Sequence, residues 1–68
     1  MDSQAKKLLG DAKSKFRVLE NYGEYALDKL AEKLADGFSI EEVDSSTIEV
    51  KKGFSYYEIT RGGTVYKI

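Results

Sequence analysis

The chain contains no cysteine, no histidine, no proline and no tryptophan among its 68 residues. Without cysteine, neither a disulfide framework nor a thiolate metal site can supplement the fold, so stability must come from apolar burial or self-association. With histidine missing as well, the usual base near neutral pH, the thiolate nucleophile and the commonest zinc ligands are all absent. An enzyme here would have to run on Asp, Glu, Lys, Tyr or Ser alone. The expectation is a non-enzymatic protein with no catalytic residue, no metal and no cofactor. Long apolar runs are lacking too: nothing approaches the roughly 18 consecutive apolar residues of a membrane span, and the opening MDSQAKKLLG has no signal-peptide core. A cytoplasmic protein with no membrane partner is expected.

A chain of this length forms one domain over residues 1–68, near the lower limit at which a single core works, burying roughly 60% of its unfolded surface. Net charge is only −1, but it is unevenly placed. Residues 24–44 carry Glu24, Asp28, Glu32, Asp36, Glu41, Glu42 and Asp44 against Lys29 and Lys33, for −5, while the flanking segments 1–23 and 45–68 each come to +2. A dedicated nucleic-acid binder is usually basic overall, so this balance argues against that class while leaving room for a local patch.

Ala5, Leu8, Leu9, Ala12, Phe16 and Leu19 recur at steps of three and four, which predicts one helix over about 3–21 with a core-facing stripe. Asp2 or Ser3 can cap its start, and Gly10 within it suggests close packing. NYG at 21–23 breaks the pattern, since Asn and Gly accept the left-handed backbone that ends helices. With no proline present, a single long kinked helix stays open as an alternative. A second helix is expected over about 24–36, with Leu27, Leu30, Ala31 and Leu34 on its apolar face and Gly37 as its stop.

From Phe38 onward the period changes to two, and β-branched and aromatic residues take over. Strands are expected over about 39–43, 46–51, 54–61 and 64–68. The first is the least regular, because Phe38, Ile40 and Val43 do not share one parity; it is an edge strand with a bulge, or a link whose Phe38 packs under the second helix. Taking Lys52-Gly53 and Gly62-Gly63 as two-residue hairpin loops puts Ile48, Val50, Tyr57, Ile59, Tyr66 and Ile68 on one face. Glu49, Lys51, Phe54, Tyr56, Glu58, Val65 and Lys67 fall on the other. A three-residue first loop would drive Glu58 into the core and expel Ile59, so it is rejected. The predicted class is α+β, a helical hairpin packed on one face of a three- or four-stranded antiparallel β-meander. Its last segment, STIEVKKGFSYYEITRGGTVYKI, resembles the hairpin lead-in of SWIM-type zinc modules. The metal ligands that define those modules are absent from it, and no family is assigned on that pattern.

Two surfaces stand out. Glu24, Asp28, Glu32 and Asp36 are each four residues apart and neighbour one another along the second helix, where like charges repel by a few tenths of a kcal/mol per pair. Lys29, Lys33 and the basic side of the first helix (Lys6, Lys13, Arg17) are the internal partners that would offset this; a basic partner protein is the external one. On the outer sheet face, Phe54 and Tyr56 are aromatics the core does not need. Beside charges they suit a protein interface, either with another protein or with a second copy as a homodimer. Joined to Lys51, Lys52, Arg61 and Lys67 they would instead form a stacking platform for nucleic acid, the alternative function. EEVDSS at 41–46 lacks the alternating ligands and central Gly of a calcium loop and is read as a polar turn. RGGT does not follow the spacing of a phosphate loop. The expected function is a small protein-interaction domain, a regulator, inhibitor or adaptor, acting through Glu24, Asp28, Glu32, Asp36, Phe54 and Tyr56.

Overall fold

A computed structural model describes residues 3–68; Asp2, one of the two candidate caps, lies outside the described residues. Helix α1 (Ser3–Lys15) and helix α2 (Glu24–Ala35) are joined through a 3₁₀ turn at Arg17–Asn21, and strands β1 (Ser39–Val43), β2 (Thr47–Lys52), β3 (Ser55–Thr60) and β4 (Val65–Lys67) follow. The strands form one antiparallel sheet in the order β1-β2-β3-β4. The class is α+β: a helical pair on one face of a four-stranded meander.

The first helix is shorter than its apolar spacing suggests. Phe16 leaves helical geometry at φ −120° and ψ 87°, and the tighter 3₁₀ winding that follows brings residues three apart into line. Phe16, Leu19 and Tyr22 therefore all reach the core, Leu19 fully buried and Tyr22 nearly so. Asn21 and Gly23 play no left-handed part: among the described residues no non-glycine residue has positive φ, and Gly23 sits at φ −71° as the extended residue before α2. Gly10 marks no close packing either, since a methyl group there would meet nothing within 4 Å.

Helix α2 ends as its sequence predicts. Gly37 adopts φ +99°, with its N–H bonding the Leu34 carbonyl and the Phe38 N–H bonding that of Lys33. This 5→2 and 6→1 pair is the Schellman arrangement, which satisfies carbonyls the helix end would leave unpaired. Phe38 is thereby turned under α2, where its ring meets Tyr57 edge-on at 5.6 Å between centroids.

Both hairpin loops differ from the expected ones, with opposite consequences. The first is Gly53-Phe54, pairing Lys52 with Ser55 and Ile48 with Ile59. A type II′ turn needs positive φ at its first central position only; Gly53 there has φ +61° and Phe54 does not. A Lys52-Gly53 loop would instead put a lysine at that position. Moving the loop by one residue shifts the pairing by two, so both faces survive: Ile48, Val50 and Ile59 are fully buried, with Tyr57 half-buried against them.

The second loop has three residues, Arg61-Gly62-Gly63, closed by the Gly63 N–H on the Thr60 carbonyl and the Thr60 N–H on that of Thr64. Only Gly63 has positive φ, at +90°, as three-residue loops require at their last position. One extra loop residue exchanges the faces of the final strand. Val65 pairs with Ile59 and packs on the core, whereas Tyr66 and Ile68, expected inside, are 55% and 63% exposed.

In β1 the bulge is present between Ile40 and Glu42. It makes Glu41 the extra residue, so that Ile40 and Val43 both reach the core despite their mismatched parity.

Candidate interaction surfaces

The acidic stripe survives folding intact. Glu24, Asp28, Glu32 and Asp36 are all exposed, on the side of α2 opposite the buried Ala26, Leu27, Leu30 and Ala31. The internal neutralisation does not form. Among the described residues a single ion pair occurs, Lys51 to Glu41 at 3.7 Å. The Lys33 ammonium lies 3.8 Å from the Tyr57 ring centroid and 4.8 Å from that of Phe38. Lys29 lies over Tyr25 at 5.3 Å. These cations are held by ring faces at the helix–sheet seam, leaving the carboxylates to solvent.

On the outer sheet face the register aligns what sequence spacing left apart. Glu42 pairs with Glu49, Glu49 with Glu58, and Glu58 with Tyr66, so three carboxylates and a tyrosine form one row across all four strands. Residues directly opposite have Cβ atoms about 4.5–5.5 Å apart, and like charges so placed destabilise a sheet. The neighbouring row holds Lys51 beside Tyr56, with the ammonium 5.7 Å from the ring centroid. Ile68 continues it, its N–H bonding the Tyr56 carbonyl at 2.9 Å. Two glutamates of the row were legible on this face; Glu42 arrives through the bulge, and Tyr66 and Ile68 through the longer loop.

The structure does not gather the basic set of the nucleic-acid alternative. Lys52 shares the inner-face parity of Ile48 and Val50, and its ammonium donates to the Asp36 carbonyl at 2.7 Å, capping α2. Arg61 donates from Nη2 to the Asn21 carbonyl at 3.2 Å. Lys67 pairs with Tyr57, which faces inward. Lys51 alone lies among the outer aromatics. Phe54 is fully exposed at the tip of the β2–β3 hairpin, while Tyr56 is half-buried within the outer face.

Of EEVDSS, expected to be a polar turn, Glu41, Glu42 and Val43 belong to β1, and only residues 44–46 form the turn, built on one carboxylate. Asp44 Oδ1 accepts the N–H of Ser46 at 2.7 Å and of Thr47 at 2.8 Å; these bonds, Thr47 foremost, hold its pKa below the ordinary value. The Asp44 carbonyl accepts the Tyr22 hydroxyl at 2.6 Å, tying the interhelical segment to the β1–β2 turn. Burial, followed by the nearby Asp44 charge, raises the Tyr22 pKa against the opposing effect of Arg61. An open cleft of about 680 Å³ lies along the α2 C-terminal half, bounded by Ala5, Lys29, Glu32, Lys33, Ala35, Asp36 and Val65. Its cations and carboxylates are balanced in number, which selects no ligand charge.

No family model, no curated protein and no solved structure matches this chain. Among the described residues no helix is long and apolar enough to cross a membrane.

Proposed function

We propose that this domain is non-enzymatic and works by binding another protein, as a small regulator, inhibitor or adaptor. The observation that supports this best is the acidic stripe of α2: four exposed carboxylates at i, i+4 spacing with no ion pair among the described residues. Such spacing repels within a helix, and the lysines nearest in sequence point to aromatic rings instead. A cationic protein surface relieves that repulsion on binding and gains electrostatically steered association. The outer sheet face, with Tyr56 half-buried and Phe54 at the hairpin tip, supplies apolar contact area on the other side of the domain.

Affinity capture from host extract with the wild-type domain and with Asp28→Lys/Glu32→Lys tests this. The expected result is one or a few proteins retained by the wild type, weakened by moderate salt and lost with the variant. Retention of no protein, or only of nucleic acid, overturns it; identical retention by both removes the acidic helix as the contact.

A further inference from the structure

Resting on the protein-binding proposal and deepening it, we infer that the outer sheet face is a docking surface for a lysine- or arginine-rich segment of a partner, one that also carries an apolar residue. Two features coincide there. The first is the uninterrupted row Glu42, Glu49, Glu58, placed side by side by the strand register. Adjacent strands lie about 4.8 Å apart, so this row concentrates three negative charges within roughly 10 Å, with no ion pair to any of the three among the described residues. The second is the apolar pair at the β4 edge: Tyr66 ends the row and Ile68 ends the neighbouring one, both more than half exposed.

Charge complementarity selects the occupant. A second copy presenting the same face would bring six carboxylates together, and a phosphate backbone would meet the same repulsion. A cationic segment does the opposite. Its lysine or arginine side chains neutralise the row, which opposes itself in the free domain, and an aliphatic residue of the same segment covers Tyr66 and Ile68.

The test is backbone amide NMR of the full chain titrated with a short synthetic peptide alternating lysine with leucine and threonine, with a glutamate-for-lysine peptide as control. Saturable shifts centred on Glu49, Glu58 and Tyr66, absent with the control, are expected. Glu49→Gln/Glu58→Gln is expected to bind the peptide about tenfold more weakly, since each surface charge pair is worth a factor of roughly 1.4 to 5. The same variant should melt at a higher temperature when free, a gain that a merely damaged fold would not give. Shifts confined to α2 overturn this inference and leave the protein-binding proposal standing on its acidic helix. Absence of shifts at low salt overturns it too, as does a concentration-dependent dimer that covers the sheet face; retention of no host protein by the wild-type domain removes the broader proposal separately.

Discussion

The ring of Tyr25 lies against the backbone of Gly63 so closely that a methyl group on the glycine would overlap Cδ2 of the tyrosine. Tyr25 is 63% exposed, and its packing role is with this loop. Gly63 also sits at φ +90°, where L side chains are strained. Gly63→Ala is therefore expected to cost about 2 kcal/mol or more, read as a lower urea midpoint with an unchanged slope. Gly62→Ala is the contrast: its φ is not positive and the nearest atom to an added methyl is the Thr60 hydroxyl at 4.0 Å. That variant should stay within about 0.5 kcal/mol of the wild type. Equal losses from both would contradict the three-residue loop.

Gly10 lies exposed in the interior of α1 with open space around it. Gly10→Ala should stabilise by roughly 0.5–1 kcal/mol, because alanine restricts the unfolded chain and suits helical backbone. In a domain this small, that corresponds to a rise of about 2–8 °C in Tm. An unchanged or lowered Tm in a thermal melt would refute it.

The one-residue exchange in β4 has its own signature. Val65 packs on the core beside Ile59, whereas Tyr66 faces solvent. Val65→Ala should cost about 1 kcal/mol and Ile59→Ala about 2–5 kcal/mol, while Tyr66→Ser and Phe54→Ser should change stability by about 0.5 kcal/mol or less. The reverse ranking of Val65 and Tyr66 in urea denaturation would restore the two-residue loop.

Acid should act on the β1–β2 turn through Asp44. Its native pKa lies below the ordinary 3.8, so on acidification the unfolded chain takes up the proton first. The stability it contributes is complete above 3.8 and is lost as pH falls through the native value. Urea midpoints measured from pH 6 to pH 2 should fall further in the wild type than in Asp44→Asn; parallel curves would show that the carboxylate bonds do not matter.

Base acts on the partner of the same contact. The native pKa of Tyr22 lies above 10.0, so its contribution is complete below 10.0 and is lost as pH rises through the native value. Tyr22→Phe should cost about 1 kcal/mol at neutral pH through the lost bond to the Asp44 carbonyl, and should lack this part of the alkaline decline. A variant as stable as the wild type at pH 7 would argue that water replaces the bond at no loss.

Much of this architecture was legible because its signals are local. The stop at Gly37 needs only a residue tolerant of positive φ after the last helical turn, and the sequence supplies one. The two faces of β2 and β3 follow from a period of two, which is why they survived a wrong choice of first loop: the error was an even number of register steps. The mismatched parity of Ile40 and Val43 left a bulged edge strand as one of two readings, and the structure has the bulge. What stayed hidden turns on choices that neighbouring residues leave open. Gly62 and Gly63 permit either loop length, and contact with Tyr25, far away in sequence, accompanies the longer one. The break at Phe16 was equally silent, because apolar residues three apart fit an α-helix as well as a 3₁₀ turn until Tyr22 finds the Asp44 carbonyl.

The candidate surfaces divide along the same line. The stripe Glu24, Asp28, Glu32 and Asp36 lies within one helix, where backbone geometry alone sets neighbours four residues apart, so the sequence by itself determined it. The row Glu42, Glu49, Glu58 and Tyr66 was decided only by tertiary structure, since its members come from four strands. A bulge and two loops, each free to shift by one residue, had to be settled by packing before those side chains could stand in line.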